Sequence, residues 1–312
     1  MPPVSFELLV VTSNGGGVLA RPTLSIFLYS DKPVRELGPA AASAIESYIA
    51  AVGENTLKTY VGNNGDFRKL SHRKLTKDLD QLRHWPERLS TSWIEYDSDP
   101  NGWAGEFGVF FYATDFSTYE WEKEGCNLLR FDWPVPTLDR MGLDAFVEFV
   151  LKLAQAVPLQ SGNVGYCFKR TTSSKQEATR PINRMIPRFM GFDPCYQEVR
   201  ESMRGRTFTV HWINLLGASL ARVLGGHDAI AKRLSGADVR LLGDVTFIRS
   251  VKRPPIGDAN RKAPDIGLIP EVARVLRPTR VNLAGFGEPG FEPGPWLARF
   301  DSLEVRPWDP PL

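Results

Sequence analysis

An order of two strands, one helix and one strand occurs twice in the first 170 residues, and it constrains the fold more than any single motif does. Apolar and β-branched residues predict the first copy as strands over 4–11 and 23–30, a helix over 39–52 and a strand near 57–61. The same signals predict the second copy as strands near 106–114 and 127–133, a helix near 142–156 and a strand near 163–168. Both copies therefore indicate helices packed on a sheet.

The remaining elements are predicted from shorter patterns. A helix is predicted where Leu75, Leu79 and Leu82 share one face, and a strand is predicted at 91–96. Beyond Arg180 the pattern predicts mainly helices, followed by a few short elements. These are a helix near 185–190, one or two helices between 207 and 234 with a break at Gly225 and Gly226, a strand near 243–250, a helix near 270–276 and a strand near 296–300.

Segregated runs of strand and helix predict an α+β protein. We expect a mixed or antiparallel sheet built from two ββαβ-like units, with a helical C-terminal portion packed on it. With 312 residues and 42% hydrophobic residues, the chain is large enough to bury a substantial core. We predict a single module over 1–312, with a possible subdivision into 1–170 and 171–312. The sequence does not predict an oligomeric state.

Composition narrows the compartment and the class of partner. The chain carries 38 basic and 36 acidic residues, so no field of the whole molecule attracts nucleic acid or an anionic membrane. The N-terminus lacks the pattern of a signal peptide, and no apolar run approaches the roughly 18 residues of a membrane span. Three widely spaced cysteines, Cys126, Cys167 and Cys195, fit reduced and packed thiols. The expected location is the cytoplasm.

Two motifs resemble catalytic or nucleotide-binding signatures without matching them. Gly15, Gly16 and Gly17 follow a predicted strand, but Pro22 and the β-branched run after it continue as a strand, whereas a phosphate loop opens a helix. The stretch from Gly217 to Ala221 lacks the second glycine of a nucleophile elbow. Neither motif therefore predicts a catalytic site, and no catalytic residue is assigned.

Metal and nucleic-acid sites are also weakly supported. The four histidines are dispersed, no C-x-x-C motif is present, and pairs such as Asp97 with Asp99 or Asp78 with Asp80 are typical of solvated turns and helices. We therefore predict no metal and no cofactor. The densest basic run, Arg68–Lys77, could approach phosphates, but acidic residues follow it and no aromatic residues interrupt it. We therefore expect no nucleic acid as partner.

Two acidic and aromatic segments, 95–103 and 114–125, are the best candidates for a protein contact. Large aromatic side chains anchor many interfaces, and carboxylates select a basic partner. The alternative is that the rings fold back onto the sheet and the acids merely keep turns soluble. The candidate contact residues are Asp97, Asp99, Trp103, Tyr119, Glu120, Trp121, Glu122 and Glu124.

Several short stretches resemble one known family. The segment 209–217, which contains Trp212-Ile213-Asn214-Leu215-Leu216-Gly217, and the later Leu224-Gly225-Gly226 resemble a signature of the type VI secretion immunity proteins. The stretches 161–166 and 188–193 are similar to two further elements of that family. From the residues themselves, we expect Trp212, Leu215 and Leu216 to be core, Gly217 to make a close helix contact, and the glycine pair to stop a helix.

The resemblance implies a function that the residues alone do not. A member of this family is an antidote that binds a cognate secreted effector toxin tightly and without catalysis, in the cytoplasm of the producing cell. This chain looks closest to TsiT-like members, which implies a nuclease toxin of restriction-endonuclease type. Two alternatives are an enzyme with an unrecognised cleft and a nucleic-acid-binding module that uses Arg68–Lys77.

Overall fold

The computed structural model describes residues 5–117, 120–170, 175–195, 197–261, 264–283 and 292–301. Within these ranges, strands from along the whole chain join one sheet. The strands are β1 (Val11–Thr12), β2 (Val18–Ser30), β3 (Thr59–Val61), β4 (Phe67–Lys69), β5 (Thr91–Asp97), β6 (Gly108–Thr114), β7 (Asn127–Pro134), β8 (Ser161–Arg170), β9 (Phe192–Asp193), β10 (Ile213–Leu216), β11 (Asp238–Leu242) and β12 (Val245–Arg249).

Helices connect these strands. The α-helices are α1 (Val34–Val52), α2 (His72–Arg83), α3 (Thr137–Met141), α4 (Leu143–Ala156), α5 (Lys175–Met185), α6 (Ala218–Val223), α7 (His227–Arg233), α8 (Ile269–Leu276) and α9 (Pro293–Leu297). Short 3-10 helices cover Phe6–Leu9, Glu120–Glu124, Gln197–Ser202 and Arg277–Thr279.

The strand order is β11-β12-β10-β8-β2-β7-β6-β5-β3-β4, with β1 on β2 and β9 on β8. The neighbours are antiparallel apart from β8 and β9, which are parallel. This arrangement confirms the predicted α+β class and the mixed or antiparallel sheet. Both predicted ββαβ orders are present along the chain, but β2 of the first unit lies between β7 and β8 of the second. The two units therefore share one sheet and one core.

The long helices are where their apolar spacing predicted them. In α1, Ile45, Tyr48 and Ile49 are buried, and the helix packs against β6, β7, α2 and α4. The helix begins at Val34, so Pro39 lies inside it and not in its first turn. Ser71 caps α2 by accepting a hydrogen bond from the Lys74 backbone N–H at 3.2 Å. One layer of helices is thus fixed against the central strands.

The C-terminal portion corrects the prediction of a purely helical segment between 207 and 234. Residues 213–216 form β10, an inner strand between β8 and β12, and helices begin only at Ala218. Adjacent residues of β10 face opposite sides of the sheet and belong to two different cores. Leu215 packs in the larger core, and Leu216 packs in a second core under α6, α7 and α8. A strand buried on both faces has a continuous apolar run, which imitates a buried helix.

Three other short predictions were wrong. The predicted strand at 4–11 is a 3-10 helix followed by the two-residue strand β1. The short helix expected near 185–190 lies earlier, as α5. The terminal strand expected near 296–300 is replaced by α9, in which Trp296 and Leu297 are buried. In each case the apolar run was too short to show which regular element it forms, or where that element begins and ends.

Candidate functional site

The end of β5 and the loop that follows it hold three of the predicted contact residues, and the two acids bind the loop's backbone. Asp97 is buried, accepts hydrogen bonds from the Asp99 and Gly105 backbone N–H groups at 2.8 and 3.0 Å, and pairs with Lys169 Nζ at 2.7 Å. Asp99 is half-buried and accepts from the backbone N–H of Trp103 at 3.1 Å. The half-buried Trp103 ring covers Gly17, where a Cβ would lie 2.3 Å from it.

The segment between β6 and β7 holds the other predicted residues. Glu124 is exposed, whereas Glu122 is 1% exposed, and among the described residues neither of its carboxylate oxygens has a hydrogen-bond partner. Tyr119 lies outside the described residues, and so do the side chains of Glu120 and Trp121, whose backbones begin a 3-10 helix.

The structure does not bring these two segments together. In the β5 and β6 pair, Asp97 faces Gly108 at one end of the hairpin, and Thr91 faces Thr114 at the other. The loop that contains Asp99 leaves the first end, and the segment that contains Glu124 leaves the second. A seven-residue strand spans about 20 Å. One small patch cannot contain both segments, although a large partner could contact both.

Trp93 is an exposed aromatic residue that the sequence interpretation did not select. It lies in β5, is 52% exposed, and makes edge-to-face contacts with Phe110 at 5.5 Å and Tyr112 at 6.0 Å between ring centroids. Its neighbour Ile94 is buried on the helix side. Successive residues of a strand face opposite sides of the sheet. The adjacent Trp93 and Ile94 therefore indicated, from sequence alone, that one of the two lies on the outer face.

Charged side chains are buried under the same outer face. Arg130 donates to Asp132 Oδ2 at 3.1 Å and to Cys195 Sγ at 2.7 Å, and Ser25 donates to Asp132 Oδ1 at 2.8 Å. Lys169 donates to Asp97 and to the Phe107 carbonyl oxygen at 2.7 Å. These polar groups converge, as an active site requires, but their side chains are nearly inaccessible and bind one another.

Two cavities among the described residues are lined by other groups. One has a volume of about 670 Å³ between the end of α4 and the turn from β11 to β12, with Asp31, Lys32 and Asp244 among its polar lining. The other, of about 490 Å³, lies between α1 and α2, and its lining mixes apolar side chains with polar ones that include Glu46, Ser71, His72 and Arg83. Neither contains a nucleophile paired with a histidine base, which is the pattern that would favour hydrolytic catalysis.

The remaining sequence candidates have structural roles. Gly15 to Gly17 lead into β2, which agrees with the rejection of a phosphate loop. The three cysteines are buried free thiols, and burial raises the pKa of Cys126 to about 12. In the part of the chain that the structure describes, no three His, Cys, Asp or Glu residues converge on a possible metal position. In the basic run, Arg68 pairs with Asp66 and Lys74 with Asp78.

His211 is buried beside Asp193, with Nε2 3.3 Å from Oδ2. Burial lowers the pKa of His211 below its ordinary value, although the Asp193 carboxylate opposes this shift. The folded protein therefore holds the neutral imidazole under conditions in which the unfolded chain binds a proton.

We expect this histidine to make stability pH-dependent. Its folded pKa is depressed, so its contribution is fully present above the unfolded pKa of about 6.5 and is lost as pH falls below that value. The slope for one proton is at most about 1.4 kcal/mol per pH unit. Urea unfolding of the wild type and of His211→Gln between pH 7.5 and 5.5 measures it. The exposed-histidine variant His72→Gln should keep the wild-type slope, and an equal slope in His211→Gln would contradict the assignment.

The fold and its site define an α+β sheet protein with a surface aromatic residue and with buried, mutually paired charges. The sequence profile described as type VI immunity for VRR-NUC, named TsiV, matches residues 40–300. The match covers most of the chain, so the chain belongs to this family of type VI secretion immunity proteins. This confirms the family that the sequence resembled, whereas the TsiT-like placement within it gains no support.

A solved structure with the same fold is the Pseudomonas aeruginosa T6SS protein PA0821. It superimposes with a TM-score of 0.77 over 94% of this chain and 88% of that chain, at 19% sequence identity. At this identity the likeness establishes the fold alone. No curated protein matches the chain. No helix among the described residues is long and apolar enough to cross a membrane.

Proposed function

We infer that this protein binds a VRR-NUC nuclease effector and neutralises it as a stoichiometric, non-catalytic inhibitor. The observation that carries the proposal is the family match over residues 40–300, since the family is described as type VI immunity for VRR-NUC. The partner is then a secreted nuclease toxin. Its substrate is nucleic acid, so protection is needed in the cytoplasm of the cell that holds the antidote.

A non-catalytic role agrees with the state of the ionisable groups. Catalytic acids and bases must reach a substrate, and they are usually found in a cleft. Here Lys169 with Asp97 and Arg130 with Asp132 form ion pairs with side chains 13% exposed or less. Such pairs hold strands and loops together, and a substrate cannot reach them. Their burial therefore supports a protein that acts by binding through its surface.

The acidic and aromatic segments stay in the proposal as contact regions, with roles that depend on exposure. Glu124 is exposed, and Asp99 and Trp103 are half-buried, so these three are able to touch a partner. Asp97 and Glu122 are buried, and Asp97 would act by holding its loop in shape through the backbone N–H groups of Asp99 and Gly105. Tyr119, Glu120 and Trp121 keep their predicted contact role. A nuclease that binds a polyanion offers basic groups to such carboxylates.

The experiment is a titration of the purified chain into the VRR-NUC nuclease encoded beside it, followed by calorimetry and by a nuclease assay. We expect a complex of fixed stoichiometry and loss of nuclease activity once the chain reaches that ratio. A nuclease without a VRR-NUC domain is the control, and its activity should not change.

Two outcomes would contradict parts of this proposal. If cells are protected although no complex forms, the mechanism is enzymatic or indirect, and stoichiometric inhibition is wrong. If Glu124→Lys binds as tightly as the wild type, while the complex itself is intact, the segment around Glu124 is outside the interface. Glu36→Lys, an exposed substitution on α1, is the matched control for the charge change.

A further inference from the structure

The outer face of β5 presents one aromatic ring that the fold itself does not cover. Three rings form a group on this face: Trp93, Phe110 and Tyr112. Phe110 and Tyr112 are buried, whereas more than half of Trp93 is exposed. The two buried rings hold the indole edge-on, so its orientation is fixed before any partner arrives. A rigid, exposed tryptophan over a packed base is the usual form of an interface anchor.

The strand that carries Trp93 is open along its edge. β3 pairs with β5 at Tyr60 with Tyr96 and at Thr59 with Asp97, and among the described residues no strand pairs with 91–95 on that side. The stretch Thr-Ser-Trp-Ile-Glu has no lysine or proline, the residues that commonly protect a sheet edge from pairing. An unprotected edge of this kind accepts an added strand through backbone hydrogen bonds.

The charges around the ring indicate which side chain such a strand would bring. The Arg130 guanidinium lies 5.5 Å from the centre of the Phe110 ring, and that of Arg200 lies 3.5 Å from the centre of Tyr112. Among the described residues, no cation lies over Trp93, the ring with the accessible face. The exposed face of an indole attracts the cation of a lysine or an arginine.

We propose that 91–95 is a docking edge for an extended, basic segment of the nuclease effector, with a lysine or arginine placed against Trp93. This rests on the proposed function, since it takes the nuclease as the partner. The backbone of the segment pairs with β5, and its cation lies over the Trp93 ring, as Arg130 lies over Phe110 and Arg200 over Tyr112. A protein that binds nucleic acid carries basic segments. The net charge of this chain is nearly neutral, so a local contact must attract such a segment, because the charge of the whole molecule does not.

The test measures binding of Trp93 variants to the VRR-NUC nuclease encoded beside the chain, inactivated by substitution at its own active site. We expect Trp93→Ala to raise Kd about 30-fold, as for an interface hot spot. Trp93→Phe keeps a ring and should raise Kd only about threefold, whereas Trp93→Arg adds repulsion and should exceed the effect of alanine. Val223→Ala and Leu241→Ala, at residues 67% and 55% exposed elsewhere, should leave Kd unchanged.

Amide hydrogen exchange on the wild-type complex tests the backbone part. Amides in 91–95 should gain protection when the nuclease binds. If the wild type binds but Trp93→Ala binds equally well and 91–95 gain no protection, the docking edge is wrong and the proposed function stands. If the wild type forms no complex, both the proposed function and the docking edge are wrong. Loss of binding by Val223→Ala and Leu241→Ala to the same degree as Trp93→Ala would also overturn the docking edge, because the effect would then not be local.

Discussion

Replacing Lys169 with methionine is expected to lower the free energy of unfolding by about 3–5 kcal/mol. The Lys169 side chain is 3% exposed, and its ammonium group donates to Asp97 and to the carbonyl oxygens of Gly105 and Phe107. Removal of the ammonium leaves the buried Asp97 carboxylate without its counter-charge. Burial already raises the pKa of Asp97 even with Lys169 2.7 Å away, so the uncompensated charge is strongly disfavoured.

Urea unfolding followed by circular dichroism measures this loss. The double variant Lys169→Met with Asp97→Asn removes both charges and should recover part of the stability, since a buried pair stabilises less than breaking it costs. Lys152→Met on the exposed face of α4 is the control and should change stability by less than about 0.5 kcal/mol. A similar loss for Lys152→Met and Lys169→Met would show that the ion pair does not hold this part of the sheet.

Replacing Trp212 with alanine is expected to destabilise the protein by about 3–5 kcal/mol. Trp212 is 1% exposed, lies parallel to Phe146 of α4 with 6.2 Å between ring centres, and donates from Nε1 to the Val251 carbonyl oxygen at 2.9 Å. It thus connects the start of β10 to the helix layer and to the chain beyond β12. Truncation leaves a cavity in the core and an unpaired carbonyl group.

Thermal and urea unfolding, followed by far-ultraviolet circular dichroism, check this prediction. Trp212→Phe retains an aromatic ring and should lose less stability than Trp212→Ala. Val223→Ala, at a residue 67% exposed on α6, should stay within about 0.5 kcal/mol of the wild type. A loss below about 1 kcal/mol for Trp212→Ala would mean that the family signature around it does not mark the core of the fold.

Elements with a long, regular apolar pattern were predicted correctly from the sequence. α1, α2 and α4 bury one stripe each, and β6 and β7 lie within a residue or two of their predicted bounds. The short apolar run Ile213–Leu216 was not, because four residues cannot distinguish a helix turn from a strand. Its strand state depends on pairing with β8 and β12, which are about 50 residues before it and 30 residues after it.

Exposure was the weakest part of the site prediction. Asp97 and Glu122 have the composition of a surface segment, yet both are buried, whereas Glu124 is exposed. The sequence places a carboxylate at the end of β5, but the distance of Asp97 from Lys169 is set by the pairing of β2, β7 and β6, which lie between β8 and β5. Trp93 was overlooked for the converse reason, since an aromatic residue in a strand is usually core.

The sequence by itself determined the α+β class, the longer strands and helices through residue 170, and the immunity family, because periodicity and short motifs are properties of neighbouring residues. Only the tertiary structure decided which strands are neighbours, which acids are paired inside, and which ring is left at the surface. Those outcomes depend on contacts between residues far apart in the chain, such as Lys169 with Asp97 and Trp93 with Tyr112. Long-range pairing and burial are cooperative, so no local pattern contains them.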